Sequence, residues 1–292
     1  MQTLLSIADF IRWGASRFNE ANLFFGHGTD NALDEAAALV LGALHLPPDL
    51  PASWFASRLT ESERQRVIDL IQRRVDERIP LPYLLGEAWF AGMRFHVNEQ
   101  VLIPRSPIAE LIEAGFAPWL EPSPAPRILD LCCGCGCIGI AAAAYLADSQ
   151  VDLVDISPDA LQVAAQNIAE YGLQERVATY QSDLFQALPD KQYDLILSNP
   201  PYVGQLEMEG LPDEYRHEPV LALQANENGL EVVQRILKQA KRYLTPRGIL
   251  IVEVGNSAQL LLDHYPQMPF VWLDFERGGE GVFLLSAADL AE

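Results

Sequence analysis

With 292 residues the chain can form one large or two ordinary domains around a substantial core, and its 40 acidic against 20 basic side chains leave a formal charge of −20. That balance argues against nucleic acid as a direct partner, because phosphate recognition needs a concentrated basic field, and fits a basic protein better. All four cysteines (Cys132, Cys133, Cys135, Cys137) fall within six residues and no apolar run approaches the ~20 residues of a membrane span, so a reduced, soluble, cytoplasmic protein without membrane attachment is expected.

The chain opens with Met-Gln-Thr-Leu-Leu-Ser-Ile-Ala-Asp9, where Asp9 and then Arg12 interrupt the apolar run before it could serve as a signal-peptide core. Residues 1–79 read as a helical domain. Leu4, Ile7, Ile11 and Ala15 recur at helical spacing, as do Leu33, Ala37, Val40, Leu41 and Leu44 before Pro47-Pro48. Thr60 with Glu63 matches a capping box for a third helix whose buried face is expected at Val67, Ile68, Ile71 and Val75. Residues 80–104, aromatic and β-branched with Gly86 and Gly92 as punctuation, predict a strand or hairpin connector.

From residue 105 onward the pattern becomes α/β. Strands are predicted over 127–131, 151–155, 193–198, 248–254, 270–275 and 281–285, with helices over 138–146 and from Ser157-Pro158 to Tyr171-Gly172. Strands alternating with helices imply an open, mostly parallel sheet covered on both faces, with its ligand beyond the carboxyl ends of the strands.

Asp130-Leu-Cys-Cys-Gly134-Cys-Gly136-Cys-Ile-Gly139 follows the first of these strands and opens a helix, and Asp155 ends the next strand. Glycines permit a tight turn and close backbone approach to a ligand, and a carboxylate on the second strand can accept both hydroxyls of a ribose. This describes an adenosine site, and at this point a dinucleotide dehydrogenase and an S-adenosyl-L-methionine-dependent methyltransferase fit equally. Cys132 and Cys135 have C-x-x-C spacing, but there is no second pair and the five histidines are scattered singly, so no metal is expected.

The strand over 193–198 runs into Asn199-Pro200-Pro201-Tyr202. The prolines fix the loop and remove two N–H donors. The Asn199 side-chain oxygen and the Pro200 carbonyl can then accept both hydrogens of a planar NH2 group while Tyr202 packs on its flat face. An amide nitrogen is a poor nucleophile because its lone pair is delocalised; holding both N–H groups raises electron density on nitrogen and aims it at a methyl donor. Water can take the proton.

This motif, with the glycine loop, Asp155 and Ser182-Asp183-Leu184-Phe185, resembles the class I methyltransferases that modify planar nitrogens. The helical N-terminal part, the connector and Val101-Leu-Ile-Pro104-Arg105 extend the resemblance over nearly the whole chain, to the bacterial protein-glutamine methyltransferases. Release-factor members usually continue with Pro-Asp-Thr-Glu; here Ser106-Pro107-Ile108-Ala109-Glu110, and later Pro212-Asp-Glu-Tyr-Arg-His-Glu-Pro219, look like the branch that modifies large-subunit ribosomal protein L-three.

The resemblance implies a Rossmann-like fold with a mostly parallel seven-stranded sheet, S-adenosyl-L-methionine as cofactor, and a helical substrate-recognition domain ahead of it. It also implies roles. Gly134 and Gly136 would admit the cofactor against the backbone, beside Asp130 and Cys133. Asp155 would bind the ribose, Asp183 with Leu184 would flank the adenine, and Arg105 would lie near the methionine end. Asn199 to Tyr202 would hold the glutamine, with Asn199 also bordering the cofactor. Cys133 and Cys135 stand where the family usually has hydroxyl side chains, leaving backbone contacts to do their work.

Charge divides unevenly. Residues 1–110 hold 14 acids and 10 arginines, leaving 26 acids and 10 bases for 111–292. Just past the asparagine motif, Glu207, Glu209, Asp213, Glu214 and Glu218 surround only Arg216. As a solvated run at the mouth of the site they would attract a basic ribosomal protein and repel nucleic acid. The competing readings are a release-factor enzyme, a DNA adenine methyltransferase without an obvious target-recognition region, and a non-enzymatic acidic assembly factor.

Overall fold

A computed structural model describes residues 4–226 and 229–290; the first three residues of the N-terminal run lie outside them. Two compact units form. One comprises Met1–Ala88 together with Pro212–His217; the other comprises Trp89–Leu211 and Glu218–Glu292. Residues 212–217, reached only after the asparagine motif, therefore belong with the helices.

The helical unit contains α1 (Ile7–Glu20), α2 (Ala32–Ala43), α3 (Glu61–Asp76) and the short α4 (Leu81–Leu85). Asp9, which interrupts the apolar run in the sequence, is the third residue of a capping box: its carboxylate accepts from the Ser6 N–H at 2.9 Å while the Ser6 hydroxyl accepts from Asp9 N–H at 3.2 Å. The Thr60–Glu63 box also forms. Phe10, Phe18, Leu39, Val40 and Val67 make the core of this unit. The inward face of α3 differs from the apolar reading: Val67, Ile71 and Arg74 are buried, whereas Ile68 and Val75 are only partly so.

Strand β1 (Glu87–Phe90), in which the second unit begins, pairs with β2 (Met93–His96), followed by α5 (Ile108–Glu113). Then come β3 (Arg127–Leu131), α6 (Cys137–Tyr145), β4 (Gln150–Asp155), α7 (Pro158–Glu170), β5 (Val177–Gln181), β6 (Tyr193–Ser198), α8 (Gln205–Gly210) and α9 (Val220–Leu223). The chain continues through α10 (Glu231–Tyr243), β7 (Leu244–Glu253), α11 (Ala258–His264), β8 (Val271–Trp272) and β9 (Val282–Ser286). The seven-stranded sheet has the order β5-β4-β3-β6-β7-β9-β8, with β9 antiparallel to both of its neighbours and the other pairs parallel. This is a class I methyltransferase sheet. Strand β5 is missing from the sequence reading because an edge strand with exposed Ala178, Thr179 and Gln181 carries no apolar run. The stretch predicted over 270–275 shortens to two residues at the opposite edge.

Strand order reverses between β3 and β6, which opens a crevice at their carboxyl ends. Register determines what meets there. Leu131 pairs with Val154 on one side and with Ser198 on the other, so the glycine loop, Asp155 and Asn199 leave the sheet at one level. The Ser198 hydroxyl donates to the Leu131 carbonyl at 2.9 Å and locks that level.

Candidate active site

The loop after β3 turns by alternating backbone handedness: Cys132, Gly134 and Gly136 have φ of +58°, +54° and +80°. Its glycines differ in purpose. A Cβ on Gly134 would meet nothing within 4 Å, so this backbone is bare toward open space, whereas a Cβ on Gly139 would overlap Leu153 and crowd Asp130. Gly134 permits an approach; Gly139 seats α6 on the sheet.

Two carboxylates hold this loop. Asp130 is fully buried beneath it and accepts from Gly139 N–H at 2.8 Å, while its other oxygen has no hydrogen-bond partner among the described residues. Burial pushes the Asp130 carboxyl up to about 8. Asp155 accepts from Gly134 N–H and Ser157 N–H, both at 2.9 Å, and burial raises its carboxyl also. Three of the loop thiols stay protonated: Cys132, Cys133 and Cys137 are shifted upward, Cys133 chiefly by burial with Asp155 and Asp130 adding to it. The thiols of Cys133 and Cys135 are buried beside the same loop.

A cavity of about 260 Å³ opens at the crevice, many times what one water needs. Its walls include Gly134, Cys133, Asp155, Asp183, Leu184, Arg105 and Asn199. Leu184 is buried and left-handed at φ +52°, and Asp183 is paired with Arg235 at 2.6 Å. Arg105 grips Glu218 through two nitrogens at 2.7 and 2.8 Å, and the Ile103 N–H donates to the same carboxylate at 3.0 Å. Bare backbone at Gly134, a carboxylate at the end of β4 and an apolar wall at Leu184 suit an adenosine-bearing ligand. Asp130 stands behind the loop and does not wall the cavity.

Of the asparagine motif, Asn199 and Pro201 face the cavity. Pro200 is buried, and Tyr202 is held from behind. Its hydroxyl donates to Glu253 at 2.9 Å, its carbonyl accepts from the Ser257 hydroxyl at 3.1 Å, and its ring lies on Gly255, where a Cβ would come within 2.6 Å. Glu253 also accepts from the Ser106 hydroxyl at 2.6 Å.

The acidic run is only partly solvated. Glu207, Glu209 and Asp213 are exposed, but Glu214 and Glu218 are buried and paired with arginines inside their own units. Two of the five acids therefore neutralise arginines and add little to the field at the surface.

Three supporting residues escape the sequence reading. Asn167 is fully buried; its amide donates to the carbonyls of His96 and Cys135 and accepts from the His96 N–H, tying the β1–β2 hairpin to the glycine loop. Glu253 and Arg235 are the others. A polar residue in the middle of the otherwise apolar helix face of α7 is a detectable sign for Asn167; for Glu253 the sign is a lone acid ending an apolar strand.

Comparison with known proteins agrees with this geometry. Residues 116–211 match the methyltransferase small domain. "Ribosomal protein uL3 glutamine methyltransferase" of Xanthomonas campestris pv. campestris is 52% identical over 98% of this chain and 93% of its own. The proteins of that name from Bordetella pertussis and Francisella tularensis subsp. tularensis are 50% and 46% identical over 99% and 100% of the chain and 97% and 93% of theirs. The chain belongs to the uL3 glutamine methyltransferase family. Membership in a glutamine methyltransferase family makes it an enzyme and sets aside the dehydrogenase and assembly-factor readings. Among solved structures, the hMettl16 catalytic domain in complex with a MAT2A 3'UTR hairpin has a TM-score of 0.52 at 18% identity, covering 78% of this chain and 82% of that one. A human methyltransferase 10 domain containing protein has a TM-score of 0.50 at 17% identity over 67% and 89%. These likenesses concern the fold alone. Among the described residues no helix is long and apolar enough to cross a membrane, and no group of three or more His, Cys, Asp or Glu could hold a metal ion.

Proposed function

We propose that this chain methylates the side-chain amide nitrogen of a glutamine in ribosomal protein uL3, with S-adenosyl-L-methionine as the donor and in the cytoplasm. The observation that carries the reading is the shared level of the glycine loop, Asp155 and Asn199 around one cavity. When bound, the cofactor supplies a methyl group on a positively charged sulfonium. Gly134 would admit it to the backbone, with the Cys133 backbone beside it; Gly136 does not wall the cavity, and a Cβ there would run into Ile140 and Leu153, so with Asp130 it would keep the turn closed from beneath. Asp155 would take the ribose hydroxyls, Asp183 and Leu184 would flank the adenine, and Arg105 would border the methionine end.

Asn199 and the Pro200 carbonyl accept the two amide hydrogens of the glutamine, with Pro201 and Tyr202 limiting its tilt. Their hydrogen bonds localise the nitrogen lone pair and point it toward the donor. The nitrogen would take up the methyl group that the cofactor supplies and release its proton, made acidic by the new bond, to water. No side-chain base is required. The net charge of −20 supports a basic protein, and not nucleic acid, as the substrate.

The test is transfer of labelled methyl to purified uL3 and to release factors. Label in uL3 supports the reading, and label in release factors alone overturns it. Asn199→Ala should lose at least ~100-fold in kcat, as when one transition-state hydrogen-bonding group is deleted. Undiminished transfer by this variant would refute the proposed role of the asparagine.

A further inference from the structure

Glu253 is a buried carboxylate for which the chemistry above has no use. It ends β7, one residue beyond the Val252 that pairs with Ser198, and so stands at the level at which Asn199 leaves the neighbouring strand. Only 6% of it is exposed, although withdrawing a carboxylate from water costs several kcal/mol unless donors replace the water. Two hydroxyls do so, Tyr202 on one oxygen and Ser106 on the other.

We propose that Glu253 is a positioning residue that aims the Tyr202 ring at the substrate amide and links it, through Ser106, to the wall of the cofactor cavity. The inference rests on the proposed function and assigns a role to a residue outside the asparagine motif.

Two features support it. A phenol linked to one fixed acceptor keeps its ring at one rotation and depth, and here the ring is also laid on Gly255, so the carboxylate and the glycine define its position from two sides. Ser106 lines the cofactor cavity and its oxygen accepts from Ile108 N–H at 3.2 Å, so Glu253 joins the segment bearing Arg105 to the segment that meets the glutamine. With both oxygens engaged by hydroxyl donors, Glu253 is built to orient its neighbours and not to take the substrate's proton.

The experiment measures kcat and cofactor Kd for the full chain with uL3, in Glu253→Ala, Glu253→Gln, Tyr202→Phe and the Ala/Phe double variant. Glu253→Ala should lose roughly 100-fold in kcat, the cost of a misplaced reacting group, with cofactor Kd changed less than about fivefold. Glu253→Gln still offers an acceptor to Tyr202 and should stay within ~5-fold of the native kcat. Tyr202→Phe should lose ~10-fold, and adding it to Glu253→Ala should cost nothing more, because the Tyr202 hydroxyl acts only through Glu253, which also holds Ser106. A glutamine variant as inactive as the alanine variant would make Glu253 a base and overturn the proposal. So would a native rate in Tyr202→Phe, or independent, multiplying losses in the double variant. A crystal structure of Glu253→Gln and Glu253→Ala supplies a readout free of the substrate assignment: the ring should hold its place in the first and leave it in the second. An unmoved ring in Glu253→Ala overturns the positioning role even if uL3 proves not to be the substrate.

Discussion

Arg74 and Glu214, 140 positions apart in the chain, meet inside the helical unit with Nη1 3.4 Å from Oε1 and both side chains 1% exposed. Glu35 accepts from Arg74 Nε at 2.6 Å, and Glu214 also accepts from Phe24 N–H and from Arg78. The segment after the asparagine motif thus supplies an acid that the helices need.

Glu214→Ala leaves a buried guanidinium short of a partner and should destabilise the helical unit by about 3 kcal/mol, measured by urea unfolding. Burial pushes the Glu214 carboxyl up, but the Phe24 N–H with Arg74 and Arg78 more than offsets it and the net direction is down. Its stabilising contribution is therefore complete above the ordinary glutamate range and disappears as pH falls through the lowered value. The gap between native chain and variant should close in acid; a gap that persists unchanged to pH 3 would contradict this ion pair.

Asp130 should act in the opposite sense. With its carboxyl raised to about 8, the stability it contributes is complete at pH below the unfolded value near 4 and is lost as pH rises toward 8. Relative to Asp130→Asn, the native chain should lose up to ~1.4 kcal/mol per pH unit within that window and run parallel to the variant above it. Parallel stability curves between pH 5 and 8 would show that the carboxyl titrates normally.

Two neighbouring glycines, Gly134 in the loop and Gly139 in α6, should fail in different ways. Gly139→Ala forces a methyl group into Leu153 and should cost about 2 kcal/mol of stability. Gly134→Ala finds room, pays ~1 kcal/mol for its left-handed backbone, and places a methyl where the cofactor is proposed to lie. Thermal unfolding should penalise the first more, and calorimetric cofactor titration the second.

The cysteines give a chemical check. The upward shift of Cys132, Cys133 and Cys137 leaves these three with little thiolate at neutral pH, so iodoacetamide should modify them in the folded chain at least ~10-fold more slowly than free cysteine, with reactivity restored in urea. Rapid labelling of the folded protein would mean that the loop opens.

Much of this was readable from residues in order. Helical spacing with Thr60 and Glu63 marked the third helix, apolar runs marked the central strands, and Asn199 to Tyr202 directly after a strand marked the loop proposed to hold the substrate. Such signals are local: capping, periodicity and strand termination depend on neighbours a few residues away. The edge strand β5 escaped because half-exposed residues need no apolar pattern.

The destinations of isolated charges were decided only by packing. Glu207 and Glu214 are alike in sequence, yet one is in water and the other joins Arg74; Glu218 meets Arg105, and Glu253 reaches Tyr202 and Ser106. A carboxylate looks the same in a sequence whether it will be hydrated or desolvated. Its partner is often more than a hundred positions away, and the energy that makes burial tolerable exists only once the fold has brought the donors within hydrogen-bond distance. Sequence thus determined the central strands, the order of the elements and the motif proposed to react, whereas tertiary structure determined which acids make the surface field and which are desolvated around the cavity.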